Sequence, residues 1–295
     1  MDGVSSVQQL AKDHYENFPL ATGFLPGELQ EDIRRLYAYA RTTDDIGDEA
    51  SGDRSELLDR WENELNRCFD GTPENRVLKA VQTTVEKHDL PRKPFRDLIE
   101  ANRRDQRVNR YDTWEDLLEY CTYSANPCGR LYLMVCGYRD EKRFQLSDYT
   151  CTALQMANFW QDVGIDLGKD RIYIPQNVLD RYDITPDDLY RWDREERSPD
   201  AFIEMMDELV HRTGKLFANG LDLVNMVRPR LRFDLLLFTL GGSSVLKQLR
   251  SERYPVFEKR VKLEGKNRWS IFPRALWYAV SGQYDELKEK IVIDA

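Results

Sequence analysis

Apolar side chains recur at intervals of three and four residues along most of this 295-residue chain. That spacing gathers them on one face of an α-helix, whereas a half-buried β-strand would alternate at every second residue. Few stretches alternate in that way. The predicted helical segments are 29–48, 54–70, 75–88, 94–105, 113–137, 147–167, 200–227, 233–252 and 272–292. We therefore expect an all-α protein.

Clusters of turn residues separate these segments, as at 51–55 and 71–75. The sequence RIYIP at 171–175 is the most strand-like stretch, and its proline ends it. The acidic stretch 180–200 is expected to be a surface loop with one helical turn. No repeat or change in composition marks a boundary, and hydrophobic residues make up 41% of the chain, enough for a sizeable core. Residues 1–295 are thus expected to form a single domain.

The charge and the cysteine pattern exclude several classes of function. The formal net charge of −9 argues against nucleic-acid binding as the main function. The five cysteines have no C-x-x-C spacing and the three histidines lie far apart, so neither a disulfide framework nor a zinc site is expected. The sequence shows no signal peptide, and no apolar stretch reaches the roughly 18 residues of a membrane-spanning helix. We expect a cytoplasmic protein, at most peripheral to a membrane.

The sequence YARTTDDIGDEA at 39–50 places four acids within six positions. On a helix with about 100° per residue, Tyr37, Asp44 and Asp48 share a face with the apolar stripe, whereas Asp45 and Glu49 rotate away from it. A purely solvated charged face would avoid the apolar stripe. Two carboxylates directed toward the core indicate a binding site, and a solvated acidic helix end is the alternative.

A second polar stripe lies in the sequence LQMANFWQDVGIDLGKDRIYIP at 154–175. Gln155, Asn158, Asp162 and Asp166 fall within about 80° on one helix face, while the rest of that helix is apolar. A helix that is apolar nearly all round is normally buried, so its polar stripe should line a cavity or bind a ligand. The alternative is an ordinary amphipathic helix whose polar side faces water.

Two helices thus each present an Asp-x-x-x-Asp pair toward the interior. Facing carboxylates without histidine or cysteine suit a hard, oxygen-preferring cation, and Mg²⁺ fits best because it keeps waters and shares substrate phosphates. Helix bundles build such sites from facing helices. Two acidic sites across an apolar cavity suggest a diphosphate leaving group held by Mg²⁺, with aromatic walls that protect a carbocation from water.

At these residues the chain resembles the squalene/phytoene synthases, all-α class I isoprenoid synthases in which a helical bundle surrounds a central cavity. The resemblance extends from His14 to the region of Trp269. The matching motifs are Tyr37-x-x-x-Arg41-x-x-Asp44-Asp45-x-x-Asp48-Glu49, Gln155-x-x-Asn158-x-x-x-Asp162-x-x-x-Asp166 with Arg171, Tyr173 and Pro175 behind it, HYENFPLATGFLP at 14–26, and CTYSANPCGR at 121–130.

The chain departs from many relatives in NFPLA, where they carry serines that touch diphosphate, and in its central segment SANPCGR. Together ENFPLA, YARTTDDIGDE, YSANPCGR and NFWQDV are most similar to the bacterial hydroxysqualene synthases of hopanoid biosynthesis. That similarity implies that presqualene diphosphate loses diphosphate, the cation rearranges, and water captures it to give hydroxysqualene without NADPH. It also implies a presqualene diphosphate synthase and a squalene-forming reductase as pathway neighbours, and transient contact with the inner membrane surface for product release.

Alternatives remain within and outside this fold. The chain could condense two farnesyl diphosphates head to head into presqualene diphosphate or squalene, or make phytoene or dehydrosqualene. An alternative of another class is a non-catalytic all-α protein with acidic pockets.

The resemblance implies a role for each candidate residue. Two or three Mg²⁺ ions would be held by Asp44, Asp45, Asp48, Asp162 and Asp166. Substrate would be bound by His14, Phe18, Tyr37, Arg41 and Arg171. The cation or the capturing water would be steered by Tyr123, Asn126, Gln155 and Asn158. The alternatives are a counter-ion role for Arg41, an exposed salt bridge for Arg171, core packing for Tyr123 and Asn126, and structural buried amides for Gln155 and Asn158. The basic tail at 261–269 would add a cation to the phosphate end or form a solvated loop.

Overall fold

The computed structural model describes residues 25–263 and 265–295, and of residues 265–268 it describes only the backbone. The helices are α1 Gly27–Asp48, α2 Arg54–Asp70, α3 Arg76–His88, α4 Arg92–Arg104, α5 Trp114–Ser124, α6 Asn126–Val135, α7 Glu141–Gln161, α8 Val163–Leu167, α9 Gln176–Arg181, α10 Pro186–Arg194, α11 Asp200–Gly220, α12 Pro229–Ser251, α13 Gly265–Ser281 and α14 Tyr284–Asp294. A 3₁₀ helix, Leu221–Met226, precedes α12. The described ranges contain no β-strand, and the RIYIP stretch contributes only an isolated bridge between Ile172 and Arg110. The all-α prediction is confirmed.

Two predicted helices are divided at a proline or a glycine. The segment at 113–137 forms α5 and α6 because Pro127 lies in the first turn of α6, where its missing N–H costs nothing, whereas it would break a continuous helix. The segment at 272–292 forms α13 and α14, separated at Gly282, whose φ of 70° favours glycine.

The expected loop at 180–200 instead contains the helix α10, so that prediction was wrong. Thr185 and Asp188 form a capping box at its start, in which the Thr185 side chain accepts from the Asp188 N–H and the Asp188 carboxylate accepts from the Thr185 N–H. The buried side chains of Leu189 and Trp192 then anchor the helix. This capping signal outweighs the acidic composition of the stretch.

The described residues group into two compact units, and the first comprises 25–108 and 122–144. In it, α1 packs on α2, α3, α4 and α6. Tyr39 of α1 is fully buried, its hydroxyl donates to the Phe95 carbonyl over 2.9 Å, and its ring stacks on Trp61 with 5.6 Å between centroids. These contacts fix which face of α1 is buried and so orient its acidic end.

The second unit comprises 109–121, 145–263 and 265–295. Within it, α11 packs on α12 and α14, and α12 packs on α13. Trp160 of α7 is fully buried and donates from its indole to Oγ1 of Thr213 over 2.8 Å. The back of α7 is therefore buried, as the sequence pattern indicates. A single domain over the whole chain stays a prediction.

Candidate active site

The first acidic cluster lies in the last two turns of α1. Asn102 of α4 donates through Nδ2 to Oδ1 of Asp44 over 3.2 Å. The Asp44 residue is exposed to solvent, but the protein atoms crowded around its carboxylate displace part of its hydration, and this desolvation raises the pKa of Asp44 to about 6. The hydrogen bond from Asn102 and the charge of Arg41 oppose the rise in pKa. The negative charges of Asp48 and Asp45 add to it. The positive charges of the protein thus only partly balance the negative charge of this carboxylate.

This helix end fits a divalent cation chemically. Its donors are carboxylate oxygens, which Mg²⁺ prefers, and the raised pKa of Asp44 marks a place where added positive charge is favourable. Among the described residues, no three acidic, histidine or cysteine side chains converge as a complete metal-binding group. The assignment of Asp44, Asp45 and Asp48 as ligands stays a prediction, with water and phosphate oxygens needed to complete the coordination.

Arg41 lies one turn before Asp45 and pairs with it. Its Nη2 is 2.7 Å from Oδ1 of Asp45 and 3.0 Å from Oε1 of Glu49. The contacts match the counter-ion role that the sequence left open for this arginine, and its binding of substrate stays a prediction. Tyr37, one further turn back on α1, is half-buried.

The second acidic pair lies where α7 gives way to α8. Asp162 interrupts the predicted helix at 147–167, since it forms the N-cap of α8. The turn spacing nevertheless continues, because the Asp162 N–H donates to the Asn158 carbonyl over 2.9 Å and the Asp166 N–H donates to the Asp162 carbonyl over 2.8 Å. Asn158, Asp162 and Asp166 therefore stay one turn apart, as the helical projection predicts.

Arg260 holds the carboxylate of Asp162 and is not among the residues that the sequence pattern predicts. Its Nε donates to Oδ1 and its Nη2 donates to Oδ2 over 3.0 Å, so the pair is bidentate. Arg260 belongs to the basic segment that continues into 261–269. It lies 98 residues from Asp162, so no local periodicity could connect the two side chains.

Asp166 and Arg171 line one small cavity. Phe159 and Tyr173 line it too, and their rings stack with 3.8 Å between centroids. The backbone N–H of Arg171 donates to the Asp166 carbonyl over 2.9 Å. An acidic residue, a basic residue and a stacked aromatic pair thus border the same cavity.

The amides of the second stripe differ in exposure. Gln155 is half-buried, whereas Asn158 is exposed. A structural buried amide is therefore excluded for Asn158. The residues between them on the back of α7, Met156 and Ala157, are buried as the helical pattern predicts.

Tyr123 and Asn126 flank the junction of α5 and α6 in the first unit. Asn126 is buried, and Tyr123 is half-buried. The Cζ atom of Arg104 lies 3.9 Å from the centroid of the Tyr123 ring, a cation–π contact that occupies one ring face. His14 and Phe18, the other predicted substrate contacts, lie outside the described residues.

Known proteins share both the sequence pattern and the fold of this chain. The family model described as squalene/phytoene synthase matches residues 11–266, which include both acidic pairs. The crystal structure of squalene synthase HpnC from Alicyclobacillus acidocaldarius superposes with a TM-score of 0.80 at 43% sequence identity, over 86% of this chain and 95% of that chain. This likeness confirms the predicted helical fold of class I isoprenoid synthases.

Two sequence relatives carry different names. Hydroxysqualene synthase of Zymomonas mobilis is 36% identical over 184 residues, which are 60% of this chain and 60% of that protein. Chloroplastic phytoene synthase 1 of Solanum lycopersicum is 27% identical over 275 residues, which are 90% of this chain and 66% of that protein. This chain therefore matches less than two thirds of the length of each of these relatives.

Proposed function

Because the chain belongs to the squalene/phytoene synthase family, we propose that it is a Mg²⁺-dependent isoprenoid synthase that converts presqualene diphosphate to hydroxysqualene. The C–O bond breaks and diphosphate leaves with the electron pair. The cyclopropylcarbinyl cation rearranges, and water adds with loss of a proton. The observation that carries the proposal is the pair of carboxylates, Asp44 and Asp48, in the last two turns of a helix that the family model covers.

The carboxylates of Asp44, Asp45 and Asp48 in one unit and of Asp162 and Asp166 in the other are proposed to hold two or three Mg²⁺ ions. When bound, the metal supplies positive charge that stabilises the leaving diphosphate. Arg260 already neutralises Asp162. When a metal binds, the Asp162 carboxylate must therefore either release the Arg260 guanidinium or leave it free to contact the diphosphate as well.

The remaining predicted residues are proposed to bind the substrate or to guide the carbocation. Arg41 and Arg171 are proposed to bind diphosphate oxygens, which planar guanidinium groups engage through paired hydrogen bonds. Tyr37, together with His14 and Phe18, is proposed to contact the substrate. The cation or the water that captures it is proposed to be steered by Tyr123, Asn126, Gln155 and Asn158.

Other products of the same fold are the alternative. The names of the relatives favour them in part, since one is a squalene synthase and another a phytoene synthase. Head-to-head condensation of two farnesyl diphosphates would use the same acidic pairs for diphosphate release. A non-catalytic binding protein is the alternative of another class.

Product analysis separates these functions. The enzyme is incubated with Mg²⁺ and either presqualene or farnesyl diphosphate, with and without NADPH, and the organic products are identified by mass spectrometry. We expect hydroxysqualene from presqualene diphosphate without NADPH. Squalene formed only with NADPH, or products formed only from farnesyl diphosphate, would overturn this proposal in favour of condensation. No release of diphosphate from either substrate would also overturn this proposal.

We further propose that the exposed face of α13 contacts an anionic membrane surface from the cytoplasmic side, where an apolar product can leave. Trp269, Leu276, Trp277 and Val280 are 71, 51, 60 and 80% exposed on this helix. The segment 259–274 carries six basic residues and one acidic residue, in a chain of net charge −9. Exposed tryptophans beside basic residues are typical of helices that lie in the membrane interface. No helix of the described residues could span a membrane.

Vesicle sedimentation tests the membrane contact. Wild-type protein is expected to bind vesicles of phosphatidylglycerol and phosphatidylcholine more strongly than pure phosphatidylcholine, and added salt should weaken binding. Trp277→Ser should weaken it, whereas Tyr149→Ser, at an exposed aromatic residue on α7, should not. Equal binding by wild type and Trp277→Ser would overturn the assignment.

The pathway partners proposed are a presqualene diphosphate synthase that supplies the substrate and a reductase that forms squalene from the product.

A further inference from the structure

Gly47 lies between Asp44 and Asp48 on α1, at a point where α4 comes very close. A Cβ atom built on Gly47 would lie 2.0 Å from Oδ1 and 2.8 Å from Cγ of Asn102. Glycine within a helix costs about 1 kcal/mol relative to alanine. Here the missing side chain leaves the space that the Asn102 amide occupies.

The Asn102 amide is buried and its orientation is fixed by its partners. Its Nδ2 donates to Oδ1 of Asp44 over 3.2 Å and to the Leu98 carbonyl over 3.0 Å. Both partners are acceptors, so the opposite orientation of the amide would place its oxygen against a carboxylate and a carbonyl. The two amide hydrogens therefore have one satisfactory arrangement, and that arrangement fixes an oxygen of Asp44.

A second amide ties the same two helices together. Gln106, just beyond α4, donates through Nε2 to the Gly47 carbonyl over 2.9 Å and to the Asn102 carbonyl over 3.0 Å. The Gly47 carbonyl lies in the last turn of α1, where intrahelical donors run out. Gln106 thus holds the end of α1 at the distance that the Asn102 contact requires.

We propose that Asn102 is a positioning residue that holds the Asp44 carboxylate ready for a cation, and that residue 47 is glycine because any side chain would displace this amide. The inference rests on the proposed function, since it concerns the cation that Asp44 would bind. Asn102 fixes one carboxylate oxygen, so less side-chain freedom is lost when a cation binds to Asp44.

Titration of the substrate-free full-length protein with Mn²⁺, followed by electron paramagnetic resonance at constant pH, tests this role. Asn102→Ala is expected to weaken Mn²⁺ binding about 3- to 10-fold, the loss expected for one hydrogen bond. In turnover assays it should raise the Mg²⁺ concentration for half-maximal rate, while kcat at saturating Mg²⁺ stays within about 2-fold of wild type. A purely structural role would lower the melting temperature and leave the Mn²⁺ affinity unchanged.

Gly47→Ala approaches the same contact from α1 and keeps Asn102 in the chain. It should weaken Mn²⁺ binding to a similar extent, whereas Gly27→Ala, on the same helix with no atom within 4 Å of the added Cβ, should not. In an Asp44→Asn background, Asn102→Ala should cause no further loss.

The outcomes distinguish the inference from the function on which it rests. Wild-type Mn²⁺ affinity in both Asn102→Ala and Gly47→Ala overturns the positioning role and leaves the metal site standing. No Mn²⁺ binding by the wild-type protein overturns the metal site itself, and the positioning role with it.

Discussion

At the scale of single residues, Asp44 links the acidic site to the stability of the fold. Its pKa in the folded protein is about 6, above its ordinary value of 3.8, because partial desolvation by the surrounding protein atoms disfavours the charged form. The folded state therefore binds the Asp44 proton more tightly than the unfolded state does. It follows that ionised Asp44 destabilises the metal-free protein, and that this penalty develops as pH rises from about 4 and is complete above about 6.

Asp44→Asn should accordingly raise the melting temperature of the metal-free protein at pH 7.5. The side chain keeps an oxygen that can accept from Asn102 but carries no charge. The gain should shrink as pH falls through 6 and vanish near pH 4. Thermal denaturation in EDTA across this pH range measures it, and a gain that is independent of pH would contradict the assignment.

Asp44→Asn should lower turnover, although it raises the melting temperature of the metal-free protein. Asp44→Asn and Asp162→Asn are each expected to reduce kcat by at least about 100-fold, because each removes a charge that the leaving diphosphate needs through its metal. Circular dichroism should show the fold intact. Glu49→Gln is the matched control, since Glu49 is exposed and pairs with Arg41, and it should keep turnover within about 2-fold. Wild-type rates in either aspartate variant would refute the metal assignment.

Sequence periodicity could place Asp44, Asp48, Asp162 and Asp166 because each pair repeats within one helical turn. It could not find Asn102 or Arg260, whose contacts with these carboxylates span 58 and 98 residues. A hydrogen bond across two helices leaves no trace in a local pattern. Gly47, within the motif itself, was the available signal for the first of them.

At the scale of elements, the apolar repeat predicted where helices lie better than where they stop. A break depends on one residue whose effect is local, such as Pro127 between α5 and α6 or the left-handed Gly282 between α13 and α14. The apolar repeat continues through the second of these breaks because α13 and α14 both pack on α12. The capping box at Thr185 shows the converse, since α10 begins in a stretch whose acidic composition suggests a loop.

Two adjacent glycines of α12 provide a test of helix packing. A Cβ on Gly242 would lie 2.3 Å from the Phe217 ring and 2.9 Å from Cδ2 of Leu154, and the Phe217 side chain is fully buried. Gly242→Ala should therefore destabilise the protein by about 1–3 kcal/mol. Gly241 has no atom within 4 Å of an added Cβ, so Gly241→Ala should stabilise by about 0.5–1 kcal/mol through helix propensity alone. Urea denaturation measures both, and the same sign for both variants would contradict the close approach of α7, α11 and α12.

At the scale of the whole molecule, each compact unit carries one acidic pair. Asp44 and Asp48 belong to the unit that contains 25–108, and Asp162 and Asp166 belong to the unit that contains 145–263. The spacing within each motif predicts the pair on its own helix. Whether the two pairs bind one ligand is a thermodynamic question that no spacing within a motif can answer.

The shift in melting temperature caused by Mg²⁺ and inorganic diphosphate tests whether the two acidic pairs bind one ligand. A ligand present at 100 times its Kd stabilises the folded state by about 2.7 kcal/mol, a shift in melting temperature that is readily measured. If both pairs bind the same Mg²⁺–diphosphate group, Asp44→Asn or Asp162→Asn alone should remove most of the shift, and the double variant should lose little more, because losses at one shared site are not additive. If the pairs bind separate ions, each variant should remove part of the shift and the losses should add. We expect Asp44→Asn and Asp162→Asn each to reduce the shift and Glu49→Gln to retain it in full, and an undiminished shift in either aspartate variant would contradict the assignment of that pair.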